Sequence, residues 1–288
     1  MSSSFTKNTA ILLTICPICD TITDILIFSG EKLMNYGIQM YSIKDVASVE
    51  LKRALEIVAK QGYKNVEFAG FFDNSAEDVK SWLDANGLEV SGTHTGLGAL
   101  TPDNIAATVE YHKVIGCDYI IVPHADWSTE EKLEAHIANL NRAAEYVKKE
   151  GMTLAFHNHS TELISYPYGK IPMNEILERT DIDIEPDVFF FCNCGLDPIE
   201  FCEKYSSRIK FIHLKDGTYP TDMERDHTNI HAGAESTVSG QGMVPVDKIV
   251  KWAQDNGKKI IVEVECKGAG EVVTGACIDY LKTLEGKL

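Results

Sequence analysis

The stretch EGMTLAFHNH, Glu150–His159, joins a charged, helix-forming run to a short β-prone one through a glycine. It ends in two histidines either side of an asparagine. The same grammar recurs along the chain in QGYKNVEF (61–68), NGLEVSGTH (86–94), IGCDYIIVPH (115–124) and NGKKIIVEVE (256–265). In each, Gly62, Gly87, Gly116, Gly151 or Gly257 sits where a helix needs a left-handed residue to terminate. Helix starts are marked as well. Ser75-Ala-Glu-Asp78 and Ser128-Thr-Glu-Glu131 read as capping boxes, and Thr101-Pro102 and Asp197-Pro198 place proline at a first helical position.

Counting the β-prone runs gives YGIQMYS, KNVEFA, LEVSGTH, DYIIVPH, MTLAFHNH, DIDIEPD, IKFIHLKD and KIIVEVE, each followed by a candidate helix. Eight strand–helix units in about 250 residues match a TIM (β/α)8 barrel. A doubly wound open sheet is the alternative, but no G-x-G-x-x-G follows the first strand.

In such a barrel the chemistry gathers at the C-terminal ends of the strands. Those ends carry Gln39 and Tyr41, Glu67, His94, His124, His157 and His159, Asp187, His213 and Lys215, and Glu263 and Glu265. Alternate residues of a strand share a face, so Ile209, Phe211, His213 and Lys215 form one inward row, and Ile261, Glu263 and Glu265 another. One histidine at a strand end is more often hydrogen-bonded structure than a ligand, and one glutamate more often a solvated rim. Convergence changes the balance. From the second strand onward every strand ends in an ionisable group, and a buried ring of this kind is costly without a shared charge to satisfy it. A divalent cation satisfies it. Mixed carboxylate and imidazole donors suit Mn, Co, Zn or Mg, with Mn the first choice.

Composition sets the outer bounds. The chain has 288 residues, with Lys and Arg totalling 27 against 43 Asp and Glu, for a net charge of −16. That sign repels phosphate backbones and anionic lipid, so neither nucleic acid nor a membrane is an expected partner. The eight cysteines show no disulfide spacing, and free thiols in a reducing, cytoplasmic setting are expected. Cys16 and Cys19 form a lone CPIC, without the second pair a zinc ribbon needs. Residues 1–33 read as an N-terminal extension ahead of a single barrel domain over 34–288. Their apolar run, Ala10–Ile15, is too short to span a bilayer, and Met34 opens the regular part of the chain.

From Met34 onward the chain resembles the xylose isomerase-like superfamily of sugar (phosphate) isomerases and epimerases. GIQMYSIKD (37–45) resembles the family's opening strand and FHNHSTEL (156–163) the HNH-x-x-E form of its fifth. EPD (185–187), FIHLKDG (211–217), GQGMVPVDKIV (240–250) and IIVEVE (260–265) follow in the family's order. The resemblance implies a metal-dependent TIM barrel acting on a small sugar, with Asp187, His213 and Glu263 matching the ligands of strands six to eight. The fourth family ligand is a glutamate on strand five. Here that position holds His157, and the carboxylate moves to Glu162. Glu162 is therefore assigned as the fourth ligand, with His157 or His159 the fallback.

The reaction implied is isomerisation or epimerisation of a keto-sugar or related polyol by proton removal beside a carbonyl. Glu263 is the expected base, and His157 or Glu162 returns the proton. Lys215 stabilises oxyanion charge, or alternatively forms a salt bridge with Glu265 or Asp216. Gln39, Glu67, His94, His124 and His159 hold hydroxyls. The same enolate chemistry serves elimination, so inosose dehydration and cleavage of 3-keto-glycosides or C-glycosides are rivals. Endonuclease-IV-type repair shares the fold but is disfavoured by the acidic charge. A metal-free sugar-binding protein is the alternative from another class. The long connection from Asp216 to Gly242, with Tyr219, His227 and His231, reads as a lid. A homo-oligomer or a partner subunit is compatible with the sequence.

Overall fold

The architecture is taken from a computed structural model that describes residues 34–222, 225–265, 268–285 and 287. The extension expected over 1–33 and the Cys16/Cys19 pair lie outside the described residues. The described residues form nine strands: β1 (Gly37–Gln39), β2 (Asn65–Phe68), β3 (Glu89–His94), β4 (Tyr119–Val122), β5 (Thr153–His157), β6 (Asp183–Glu185), β7 (Phe211–Thr218), β8 (Glu235–Thr237) and β9 (Lys259–Glu263). Their order is β6-β5-β4-β3-β2-β1-β9-β7-β8. Every pairing is parallel except β7 with β8. The ring closes between β6 and β7 through one parallel bridge, Asp187 to His213, where the His213 amide donates to the Pro186 carbonyl at 3.0 Å. This is the TIM barrel read from the sequence, with β8 an added hairpin strand outside the eight-unit count.

The helix ends explain why the units repeat. Gly62, Gly87 and Gly116 cap their helices in the left-handed conformation, where a side chain would be strained. Ser75 accepts from the Asp78 amide at 3.1 Å, and Asp197 from that of Ile199 at 2.8 Å ahead of Pro198. Two expected starts move. Thr129 rather than Ser128 caps Glu130–Lys149, its Oγ1 accepting the Lys132 amide at 3.3 Å, while the Ser128 amide is bonded to Asp126 Oδ1 at 2.9 Å in the turn before it. Thr101-Pro102 belongs to a turn, and the helix begins at Ile105 after Asn104.

Two apolar regions result. The larger lies between the sheet and its helices; the smaller, Tyr119, Ile121, Ala155, Phe211 and Ile261, fills the barrel interior. Burying side chains such as Phe211 and Ile261 contributes roughly 1.5–3 kcal/mol each. Small residues on the neighbouring strands make this plug fit. A Cβ on Gly37 would lie 2.5 Å from Ile261 Cδ1, and one on Gly92 2.6 Å from Ile121 Cδ1. Two residues further along the same strands, the interior turns polar.

The segment expected to act as a lid is anchored. β7 runs on to Thr218 and pairs with β8, and the buried Asp216 carboxylate accepts the amides of Gly217, Gly240, Gly242 and Val244 at 2.8–3.1 Å. Among the described residues no helix is long and apolar enough to cross a membrane.

Candidate functional site

The period of two that puts Ala155, Phe211 and Ile261 in the interior puts His157, His213 and Glu263 one layer above them. Asp187 joins from the sixth unit, where it caps the helix Val188–Asn193 by accepting the Phe189 amide at 2.9 Å. Its own amide is held by Asn158 Oδ1 at 3.2 Å, so the asparagine between the two histidines ties strand five to strand six. His157, Asp187, His213 and Glu263 thus converge, each offering a ligand atom within 4.8 Å of the others, and all four are buried.

Two polar atoms of this group have no partner, and three of its ionisable side chains are displaced from their ordinary charge equilibria. Asp187 Oδ2 and His157 Nδ1 are buried without a hydrogen-bond partner. Burial pushes Asp187 up to about 7. Burial, reinforced by the charges of His213 and His94, drives His157 well below the ordinary histidine value and leaves its imidazole neutral. For Glu263 burial acts upward, but Lys215 and His213 outweigh it and hold the carboxylate ionised. Lys215 lies 3.4 Å from Glu263 Oε1, pairs also with Glu265, and sits over the Phe190 ring at 4.7 Å. The donor set and the orphaned atoms fit a divalent cation with mixed nitrogen and oxygen ligands.

Glu162, expected as the fourth ligand, lies outside this group and is engaged elsewhere. Its Oε1 accepts from Trp127 Nε1 at 2.7 Å, and its Oε2 from the His159 amide at 2.8 Å and Thr161 Oγ1 at 3.0 Å. A carboxylate three residues after His159 is the right distance to cap the turn Ser160–Leu163, and it does so fully buried. The structure places His157, the fallback, beside the other three. Glu162→Gln is expected to lower stability by about 1–3 kcal/mol, since an amide cannot accept all three donors. Metal content should not change; a denaturant titration with elemental analysis checks both, and lost metal at unchanged stability would restore Glu162 as a ligand.

The residues expected to hold hydroxyls divide in two. Gln39, Glu67 and His94 are engaged with one another. Glu67 Oε1 accepts from Gln39 Nε2 at 2.7 Å and from His213 Nε2 at 2.7 Å, with His94 Nε2 at 3.0 Å. Burial acts to raise Glu67, but His213 and His94 outweigh it and hold the carboxylate far below its usual range. His159 and His124 remain towards the opening, His159 half-buried against the Phe190 ring at 4.8 Å and His124 exposed. In the connection after β7, the His227 ring lies 5.4 Å from that of Tyr166 and the His231 ring 6.3 Å from that of Phe190.

Sequence reasoning missed Glu185. It is buried, 3.2 Å from His94 Nε2 and 3.4 Å from His213 Nε2, and forms with His94, His157 and His213 a second ligand-capable group. Its Oε2 is 3.5 Å from His157 Nδ1, a close approach without hydrogen-bond geometry. Burial and the neighbouring Glu67 charge push it up to about 7. The alternation in DIDIEPD puts Asp183, Glu185 and Asp187 on one face and could have signalled it.

Comparison with known proteins places these features. A family model described as a xylose isomerase-like TIM barrel matches residues 55–284. The chain is 24% identical over 246 residues to the 2-oxo-tetronate isomerase of Haemophilus influenzae, spanning 76% of this chain and 89% of that protein. It is 23% identical over 190 residues to the inosose dehydratase of Geobacillus kaustophilus, where the match spans 57% of this chain and 61% of the relative. The crystal structure of a sugar phosphate isomerase/epimerase from Parabacteroides distasonis superposes with a TM-score of 0.69 at 24% identity, covering 86% of this chain and 97% of that one.

Proposed function

Because this chain belongs to the xylose isomerase-like TIM-barrel family, we propose that it is a divalent-metal-dependent isomerase or epimerase of a keto-sugar or keto-polyol. Its chemical step is removal of the proton from the carbon beside the carbonyl. The observation that carries this reading is the buried convergence of His157, Asp187, His213 and Glu263 with Lys215 against it. Those four residues would hold a divalent cation, Mn among those that mixed imidazole and carboxylate donors accept, and it would supply Lewis-acid stabilisation of enediolate charge.

The chain's own groups supply the rest. Glu263, held ionised despite burial, accepts the carbon-bound proton. Lys215, held cationic by Glu263, Asp187 and Glu265 against the effect of burial, stands beside that base and neutralises developing oxyanion charge. Phe190, under Lys215 and against His159, excludes water from that side. His159 and His124, nearer the opening, are left to orient hydroxyls, since Gln39, Glu67 and His94 are engaged with one another.

Elimination of water from the same kind of substrate is a second reading, and one observation favours it. Glu162 is engaged in its cap and His157 stands among the ligands, so neither residue expected to return the proton is free to do so opposite Glu263. An elimination needs one base and a proton for the departing hydroxyl. Candidate keto-sugars and keto-inositols incubated in deuterated water separate the two. Isomerisation leaves one deuterium on carbon and no absorbance change; elimination loses water and gains conjugated-enone absorbance. Neither signal with any such substrate, in metal-loaded protein, would sink the enolisation reading.

A further inference from the structure

The two ligand-capable groups share His157 and His213. For His213 the nitrogens are distinguished by their surroundings. Nδ1 lies 2.9 Å from Glu263 Oε2, on the side of Asp187 and Glu263. Nε2 lies 2.7 Å from Glu67 Oε1 and 3.4 Å from Glu185 Oε2, on the side of His94. An imidazole that ligates a cation has given up one of its two N–H protons, so His213 can serve one group with its lone pair only by keeping its remaining N–H toward the other. Filling both groups at once would need the imidazole stripped of both protons. The position of one proton on His213 therefore decides which group can take a cation.

We propose that Glu67 is the positioning residue that makes this choice: it holds the proton on His213 Nε2, so that Nδ1 faces Asp187 and Glu263. The inference rests on the metal reading above and adds to it the residues that select the site.

The surroundings of Glu67 are built for an acceptor that stays in place. Its Oε1 faces three donors at once, Gln39 Nε2, His94 Nε2 and His213 Nε2, at 2.7, 3.0 and 2.7 Å. Gln39 is itself fixed, because its Oε1 accepts the Tyr41 amide at 3.0 Å and so its Nε2 must be the group turned to Glu67. His94 Nε2 spans the two carboxylates, 3.0 Å from Glu67 and 3.2 Å from Glu185. Room for the second oxygen comes from Gly92, directly across the β2–β3 ladder, where a Cβ would stand 3.2 Å from Glu67 Oε2. A carboxylate on the far nitrogen of a ligating histidine fixes its tautomer and ring orientation. Here the carboxylate comes from strand two and the histidine from strand seven, on opposite sides of β1 and β9.

The test uses full-length protein with 15N-labelled histidine, loaded with Zn2+, and two-bond 1H–15N correlation spectra. His213 is expected to show a protonated Nε2 and a zinc-bound Nδ1. Glu67→Met, which removes the acceptor at similar volume, should lower zinc affinity by about 10–100-fold and release the fixed tautomer. Glu67→Gln keeps an acceptor oxygen and should recover most of that affinity. Wild-type His213 bound to zinc through Nε2 overturns the proposal without needing any variant. So does a Glu67→Met protein that keeps both zinc affinity and tautomer. A wild-type protein that takes up no zinc, manganese or cobalt overturns the metal reading itself, and this inference with it.

Discussion

Asp187→Asn is expected to abolish stoichiometric metal binding while leaving the barrel folded. The asparagine can still accept the Phe189 amide, so the cap on Val188–Asn193 survives; alanine would forfeit that cap as well, at about 1 kcal/mol. What asparagine removes is an anionic oxygen in the ligand group, and the loss should exceed the roughly 10–100-fold of an outer-shell change. The metal-free proteins should differ in the opposite sense. Burial raises the Asp187 carboxyl from 3.8 to about 7, so its ionised form is disfavoured in the folded chain. A raised acid makes the folded state lose stability, relative to a neutral replacement, as pH rises between those two values. Metal-free Asp187→Asn should therefore gain on metal-free wild type across that window and hold the gain above it. Elemental analysis and urea titrations from pH 4 to 8 measure both. Undiminished metal would remove Asp187 from the ligand set; a gain that shrinks with rising pH would contradict the assigned charge state.

Glu263→Gln should abolish exchange of the substrate's carbon-bound proton with solvent. Glutamine keeps the shape of the side chain but cannot take the proton. General-base catalysis contributes typically about 10²–10⁴-fold, and an effect in that range is expected. Sugar binding should fall far less. The variant also loses an anionic partner of Lys215, which retains Glu265. Because Glu263 belongs to the ligand group, the measurement must be made on variant protein shown to be metal-loaded, with deuterium wash-in followed by NMR. Exchange near the wild-type rate in loaded protein would mean that Glu263 is not the base.

The contrast between Glu263 and Glu162 shows what a sequence discloses about such a site. Strand alternation carries Glu263, His213 and His157 to one layer, because a period of two leaves no freedom once the core face is known. Glu162 lies beyond the end of β5, where the chain turns and alternation no longer applies. There a carboxylate three residues on can reach a ligand position or cap its own turn, and here it caps the turn while bonded to the indole of Trp127, 35 positions earlier. The barrel itself was legible because each unit carries its own stop signal in a glycine and its own apolar strand. The hairpin of β7 and β8 was not, since it depends on Asp216 gathering amides from residues up to 28 positions later. Glu185 was legible in principle, but Asp187 two residues on has the same parity and drew the assignment.

The single bridge between β6 and β7 has a mechanical meaning. The other neighbouring strands of the ring are laced by ladders of two or more register positions, whereas this junction is one stitch wide, and Asp187 and His213 are the two residues it joins. An ion gripped by both would act as a rivet across the weakest joint of a hoop. Occupancy and hoop integrity then become one quantity: a ligand that binds only the closed form strengthens it by about 2.7 kcal/mol at a free concentration one hundred times its Kd. A chelator would act on such a molecule as a mild denaturant, opening it along that joint first.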